Sequence, residues 1–354
     1  MRKVIVFTGG GSGGHVVPGL TLIAKLRNEG FEVHYIGSEH GIESKLTQGH
    51  VDKYYAIQTG KLRRYIDFQN VKDIFKVFVG LLQSIKIILS LRARNLVVVS
   101  MGGFVSVPVV IAAKFLFKKA VIHEQTTRVG LANKICSYFA DKVFVSFEDS
   151  LQFFPSKKTV LSGYPVKEEY ETVDLTIDMY EGIKLSEIKK DILFITGGGN
   201  GSKLLNDQVY KSLEVLKQKY FIIHQVGQAF MPEYVNLRDD NYIPCAFIGE
   251  EMPDIFKVAK VVISRSGAGT VAELMALGKK SIFVPLKIAQ KNEQYHNAMA
   301  ANKKLGSIVI KEDDFREVNF VDLLEGFVSS SEVVVQTNGA RDFLVREIQK
   351  LYLS

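Results

Sequence analysis

The hexapeptide Thr-Gly-Gly-Gly-x-Gly occurs twice, at Thr8–Gly13 and again at Thr196–Gly201. Each copy follows an apolar, largely β-branched or aromatic run, Val4-Ile5-Val6-Phe7 before the first and Ile192-Leu193-Phe194-Ile195 before the second. Each leads into a stretch with helical periodicity. A strand that turns through glycines into a helix presents unpaired backbone N–H groups at the positive end of the helix dipole, which is a cradle for an anion. The chain has 354 residues, about twice the usual domain length. Two α/β domains facing one phosphate-bearing ligand are therefore the leading expectation.

The rest of the chain alternates in the same way. In the first half strands are predicted at 2–8, 32–36, 96–100, 120–123 and 143–145, with helices near 16–29, 40–48, 70–92, 106–116 and 130–139. In the second half strands are predicted at 191–196, 220–225, 244–247, 260–264, 281–284 and 307–310. Strand–helix alternation with apolar, β-branched strands implies parallel sheets covered on both faces. Residues 165–190 are charged and poor in strand character, so the expected division is 1–163, 164–338 and a terminal helix over 339–354 with Phe343, Leu344, Ile348 and Leu351 at helical spacing.

Composition narrows the function classes. The apolar tract from Ile74 to Leu91 is interrupted by Lys76, Gln83 and Lys86, which argues against a membrane span. The start of the chain runs into a strand too soon for a signal peptide. Cys136 and Cys245 match no metal spacing and are expected as buried small apolar residues of a reducing compartment. Net charge is +7, and its placement is informative. Lys61, Arg63, Arg64, Lys72, Lys76, Lys86, Arg92 and Arg94 flank or punctuate the apolar tract, and Lys114, Lys118 and Lys119 surround Phe115-Leu116-Phe117. Basic residues interleaved with bulky apolar ones suit an anionic membrane surface, or else the solvated side of an amphipathic helix. No nucleic-acid-binding signature is present. Asp239-Asp240 and Asp313-Asp314 are expected as solvated charges, and no essential metal is expected.

Several residues could carry chemistry. Gly9–Gly14 contains G-x-G-x-x-G, which keeps a nicotinamide-dependent oxidoreductase open as an alternative, with Glu39 as its ribose acid. A second glycine loop has no role in a single dinucleotide site, however, and the first loop ends in His15. Neutral imidazole serves as a general base near pH 7, so His15 is the candidate base; its competing role is to hold backbone. Ser264–Thr270 follows the strand Val261-Val262-Ile263 and opens a helix containing Glu273. Small residues and hydroxyls at such a turn suit phosphate, and Glu273 stands ready for a ribose diol or serves only as a dipole partner. Gly102-Gly103 and His123-Glu124-Gln125 each end a strand, where ligands of open α/β sheets bind. His123 and Glu124 are a second possible acid–base pair or a structural one.

Taken in order, these residues resemble the MurG family, peripheral-membrane enzymes that add N-acetylglucosamine to lipid I in bacterial peptidoglycan synthesis. Gly10-Gly11-Ser12-Gly13-Gly14-His15 and Met101-Gly102-Gly103-Phe104-Val105-Ser106 resemble its two first-domain glycine loops. His123-Glu124-Gln125 resembles its H-E-Q-N element, Gly198–Asn206 the loop opening its second domain, and Arg265–Ala268 with Thr270 and Glu273 its nucleotide-sugar motif. The resemblance implies a GT-B fold, with two Rossmann-like domains, a deep interdomain cleft and a C-terminal helix returning to the first domain. It implies a metal-independent, inverting transferase without cofactor, at the cytoplasmic face of the cell membrane. It assigns UDP-GlcNAc to the second domain, through Gly199, Asn200, Ile248, Ser266, Gly267, Ala268, Gly269, Thr270, Val271, Ala272, Glu273 and Gln294. It assigns the pyrophosphate of undecaprenyl-linked lipid I to the first domain, through Ser12, Gly13, Gly14, Gly102 and Gly103, with Thr126 as a further substrate-binding residue, His15 as base and Glu124 as a lesser catalytic candidate.

Four positions depart from the family pattern. Thr126 replaces Asn, Gly163-Tyr164-Pro165-Val166-Lys167 replaces G-N-P-V-R, Gly199 replaces Ser, and Glu293-Gln294 replaces paired glutamines. Lys167 would meet a phosphate as a point charge, not as a bidentate fork. An acceptor such as diacylglycerol remains open on the same fold.

Overall fold

The computed structural model describes residues 2–60, 68–327 and 339–354, without the side chains of 68–72, 74 and 290. Lys61, Arg63 and Arg64 of the basic set lie outside the described residues, as does the side chain of Lys72. The chain divides into two compact units, Met1–Val166 with Asn338–Ser354, and Lys167–Thr337.

The first unit runs β1 (Val4–Thr8), α1 (Val17–Asn28), β2 (Glu32–Ser38), α2 (Ile42–Leu46), β3 (Lys53–Ile57), α3 (Phe68–Ser90), β4 (Leu96–Ser100), α4 (Ser106–Phe115), β5 (Lys119–Glu124), α5 (Leu131–Phe139), β6 (Lys142–Val145) and β7 (Thr159–Leu161). Its seven strands are parallel in the order β3-β2-β1-β4-β5-β6-β7. Every residue of β1 and β4 is buried, as a central parallel strand covered on both faces requires. Alternate side chains feed two cores: Val4 and Val6 join α4 and α5, while Ile5 and Phe7 join Leu22, Ile23 and Leu26 of α1.

The second unit runs β8 (Met179–Tyr180), β9 (Ile183–Lys184), β10 (Asp191–Thr196), α6 (Lys203–Lys219), β11 (Tyr220–Gln225), α7 (Met231–Tyr234), β12 (Tyr242–Cys245), α8 (Met252–Val258), β13 (Ala259–Ser264), α9 (Ala268–Ala276), β14 (Ile282–Phe283), α10 (Glu293–Leu305), β15 (Ile308–Val309), α11 (Glu312–Glu317) and α12 (Phe320–Gly326). Its six-stranded sheet, β12-β11-β10-β13-β14-β15, is again parallel. The final helix, α13 (Ala340–Leu353), belongs to the first unit, where Leu344, Val345 and Ile348 enter the Ile5/Phe7 core.

Four strands stand where none was predicted. β3 and β7 are sheet edges, β3 half-exposed and β7 only three residues long, so neither carries an apolar run. β8 and β9 form a hairpin inside the charged 165–190 segment. Its loop residues Glu181 and Gly182 both take positive φ (52° and 82°), the pairing that a two-residue type I′ turn demands. Cys136 and Cys245 are free and buried, and burial raises their thiols to about 12 and about 11. Asp239-Asp240 and Asp313-Asp314 are exposed, and Asp239 also pairs with Lys217 at 2.8 Å and Asp313 with Lys287 at 2.7 Å.

Candidate functional site

In each unit the two central strands end side by side. Thr8 pairs with Ser100 in the first sheet and Thr196 with Ser264 in the second, and at each of these points the strand order reverses. Ligands of open α/β sheets bind at such switch points, outside the carboxyl ends of the strands.

In the first unit the glycines have two separate physical roles. Gly10 N–H donates to Gly102 O at 3.1 Å. A Cβ on Gly103 would lie 2.2 Å from Gly10 O, and Gly103 has φ +85°. The two glycine loops therefore touch backbone to backbone, an approach no side chain permits. Gly13 has no neighbour within 4 Å of its Cβ position, and Gly14 has only the Ser12 hydroxyl at 3.8 Å. Those positions face open space. The loop is braced from behind by residues that sequence reasoning missed. Glu43 accepts from Gly11 N–H at 3.2 Å and from Ser38 N–H at 3.0 Å, and Tyr35 donates to Gly9 O at 2.9 Å.

His15 closes a single 3₁₀ turn, Gly13–His15, ahead of α1. Its Nδ1 lies 3.0 Å from Gly10 O and 3.2 Å from the Ser12 hydroxyl. A carbonyl oxygen can only accept, so in the neutral ring Nδ1 carries the proton and Nε2 holds the lone pair. Gly102 and Asn133 adjoin: a Cβ on Gly102 would meet the His15 ring at 3.1 Å and the Asn133 amide at 3.2 Å.

His123 and Glu124 serve loops and not each other. Buried His123 bonds through Nε2 to Gly163 O at 3.1 Å, and burial lowers its pKa to about 4. Glu124 accepts from Thr126 N–H at 3.1 Å, the Thr126 hydroxyl at 2.8 Å, Gly130 N–H at 3.4 Å and Asn133 Nδ2 at 3.0 Å. That carboxylate therefore organises the turn into α5. Gln125 Nε2 donates to Met101 O at 2.7 Å and ties the same turn to the Gly102-Gly103 loop.

In the second unit Gly201, at φ +73°, would place a Cβ 1.9 Å from Val226 O, while Gly198 has open space around it and Gly199 meets only the Phe247 ring at 3.8 Å. Gly199 and Asn200 are exposed. Arg265 N–H donates to Thr196 O at 3.2 Å, joining this loop to the Ser264–Thr270 turn. The Arg265 side chain is committed to the scaffold, donating to the Ser202 hydroxyl at 3.1 Å and to Val284 O, and pairing with Glu312 at 2.7 Å. Buried Ser266 has a hydroxyl with no partner, and Gly267 faces open space at the start of α9. Ala268, Gly269 and Thr270 are partly exposed, whereas Val271, Ala272 and Ile248 are buried and can offer a ligand little beyond backbone.

Glu273 is partly exposed, yet the protein packed round its carboxyl raises its pKa to about 7, against the opposing pull of the Lys167 charge and a hydrogen bond with Tyr170. Gln294 Oε1 accepts from Leu286 N–H at 3.0 Å, which leaves its Nε2 as the group able to donate outward. Among the described residues no three His, Cys, Asp or Glu side chains gather as a metal-holding group.

Residues 5–145 match the glycosyltransferase family 28 N-terminal domain and residues 192–347 the glycosyltransferase family 28 C-terminal domain. A Clostridium botulinum (strain Kyoto / Type A2) protein named UDP-N-acetylglucosamine--N-acetylmuramyl-(pentapeptide) pyrophosphoryl-undecaprenol N-acetylglucosamine transferase is 39% identical over 336 residues, covering 94% of this chain and 93% of its own. A Clostridium perfringens (strain ATCC 13124) protein of the same name is 42% identical over 319 residues, covering 89% and 87%. The crystal structure of Acinetobacter baumannii MurG superposes with a TM-score of 0.72 at 24% identity, covering 99% of this chain and all of that one. With both domain models matched along its length and relatives of this identity across nearly all of it, the chain belongs to glycosyltransferase family 28 and, within it, to the MurG family.

Proposed function

We propose that this protein transfers N-acetylglucosamine from UDP-GlcNAc to undecaprenyl-pyrophosphoryl-MurNAc-pentapeptide with inversion at the anomeric carbon. The observation that carries the reading is the inequality of the Gly9–Gly14 loop and the Gly197–Gly201 loop. Only the first ends in an imidazole with a free lone pair, and only the second stands beside a partnerless serine, an open helix start and a carboxyl one turn on. In this reading His15 Nε2 takes the proton from the attacking acceptor hydroxyl. Its oxygen bonds to the anomeric carbon as the bond from that carbon to the donor phosphate breaks, and UDP leaves with the electron pair. Backbone N–H groups at the Gly197–Gly201 and Ser266–Ala268 turns meet the developing diphosphate charge. Lys167 adds a point charge, and Glu273 accepts from the ribose diol. Transfer of labelled GlcNAc onto lipid I tests the reading. Label on diacylglycerol but not on lipid I would reassign the acceptor, and no transfer to either would overturn it.

Glu273 makes donor binding depend on pH. A carboxyl whose folded pKa is raised stabilises the fold through its proton at low pH and loses that contribution as pH rises through about 7. The ionised form is the better acceptor for two hydroxyls, so donor affinity runs the other way. Between about pH 6 and pH 8 the Kd for UDP-GlcNAc is expected to tighten by roughly threefold to tenfold while thermal stability declines. In Glu273→Gln both slopes should flatten, which titration calorimetry and thermal melts across that interval will read.

The reading also includes a peripheral membrane surface. Among the described residues no helix is long and apolar enough to cross a membrane. α3 nevertheless turns apolar side chains to both sides. Ile88 is buried, with Leu81 and Ile85 packed against the same core, while Phe75, Phe78, Leu82 and Leu89 are exposed beside exposed Lys76 and Lys86. Phe117 stands 96% exposed near Lys114, Lys118 and Lys119. An outward apolar stripe rimmed by lysines suits the headgroup region of an anionic bilayer. The triple change Phe75→Ser, Phe78→Ser, Phe117→Ser should weaken sedimentation with phosphatidylglycerol vesicles by at least about tenfold. Activity on a water-soluble acceptor analogue should persist.

A further inference from the structure

A buried polar chain runs behind the second glycine loop. His224 lies on β11 with no exposed surface, and its neighbours are Tyr242 on β12 and Asn206 in the first turn of α6. Its Nδ1 is 2.9 Å from the Tyr242 hydroxyl and its Nε2 is 3.1 Å from Asn206 Oδ1. Asn206 Nδ2 in turn donates to Val226 O at 3.0 Å. The carbonyl at the end of the chain sets every proton in it. Val226 O can only accept, so the Asn206 amide must point its NH₂ there and its oxygen at His224. Nε2 then carries the ring proton, Nδ1 accepts, and the Tyr242 hydroxyl donates. Burial lowers His224 to about 3, so the ring is neutral and holds a single N–H to place.

The chain ends at the backbone on which the loop rests. Val226 O is the atom 1.9 Å from the Cβ that Gly201 lacks, and a Cβ on Gly227 would stand 2.5 Å from Asn200 O. Gln225 Nε2 holds Gly198 O at 3.0 Å from the same strand end. Asn206 also sits one turn from the Ser202 cap of α6, so the relay fixes the amino end of that helix. A leucine at 224 would fill this buried strand position with no need of partners, which makes the polar network costly unless its geometry is used. We propose that Tyr242, His224 and Asn206 form a one-way hydrogen-bond relay that holds the Gly197–Gly201 loop and the start of α6 in the geometry that receives the donor's diphosphate. His224 is thus a positioning residue, and its role rests on the assignment of UDP-GlcNAc to this unit.

The test measures KM for donor and acceptor, kcat and UDP-GlcNAc Kd in wild type, His224→Leu, His224→Gln and Tyr242→Phe. Leucine leaves Asn206 Oδ1 and the Tyr242 hydroxyl unpaired, and is expected to raise donor KM and Kd about tenfold with kcat and acceptor KM within about twofold. Glutamine can donate to Asn206 and accept from Tyr242, and should restore donor KM to within about threefold of wild type. If His224→Leu does not fold, Tyr242→Phe removes one donor from the same chain at nearly constant shape and should still raise donor KM roughly threefold. A folded His224→Leu with unchanged donor KM, or Tyr242→Phe with unchanged donor KM where His224→Leu is unfolded, overturns the relay. Loss of kcat in place of donor affinity overturns it as well. Failure of the wild type to bind UDP-GlcNAc would instead count against the donor assignment itself.

Discussion

His15→Ala is expected to lower kcat by about 10² to 10⁴ while leaving the Kd for UDP-GlcNAc within twofold. The size follows from the job assigned to one atom. Nδ1 is held by Gly10 O and Ser12, so Nε2 alone can take the proton of the attacking hydroxyl. The two consequences separate because His15 belongs to the first unit and the donor residues to the second. His15→Gln sharpens the test. Its amide can still donate to Gly10 O, and it shares the imidazole's reach, yet it cannot accept a proton near neutrality. Single-turnover transfer at saturating donor and acceptor, with calorimetric donor binding on the same samples, gives both numbers. A His15→Gln enzyme that keeps more than about a tenth of wild-type kcat would show that another group, or solvent, removes the proton.

The parts of the molecule that could be read from sequence were those where one residue type answers one physical demand. Glycine at Gly103 and Gly201 is required by backbone contact at positive φ, and such glycines announce themselves as strings, Gly102-Gly103 and Gly197–Gly201, directly after apolar strands. Fully buried parallel strands such as β1 and β4 announce themselves as apolar runs. The edge strands β3 and β7 do not, because their half-exposed positions accept almost any residue. The supports behind the loops were hidden for a different cause. Glu43 sits 32 positions from the Gly11 N–H it receives, and His224 is 18 positions from both its partners. Nothing local in either stretch marks a contact that only the fold creates. A charged or ionisable residue within an otherwise apolar strand, as in Phe221-Ile222-Ile223-His224, is the one signal that was available. The repeat itself suggested equivalence. The structure backs one loop with a carboxylate and a tyrosine, and the other with a glutamine and an asparagine–histidine–tyrosine chain.

The same division among glycines yields the second large effect. Gly103→Ala should lower the melting temperature of the first unit by about 10 °C, because the added methyl meets backbone and not a side chain that could move. Its Cβ would stand 2.2 Å from Gly10 O and 3.0 Å from Gly10 C, at a φ of +85°. The left-handed conformation alone costs an L-residue about 1–2 kcal/mol, and relief of the clash would break the Gly10–Gly102 hydrogen bond that joins the two loops. Gly201→Ala meets the same obstacle in the second unit, with Val226 O 1.9 Å away and φ +73°. The informative contrast is Gly14→Ala. Its φ is not positive and only the Ser12 hydroxyl lies near, at 3.8 Å, so its melting temperature should stay within about 2 °C of wild type. A methyl there points into the space read as the seat of the acceptor pyrophosphate, and acceptor KM should rise roughly tenfold or more with donor KM unchanged. Calorimetric melts and steady-state kinetics on the three variants separate a glycine needed by the fold from one needed by a ligand. Equal thermal loss at 14 and 103 would mean the open side of the first loop is filled by protein. An unchanged acceptor KM in Gly14→Ala would move the acceptor away from this loop altogether.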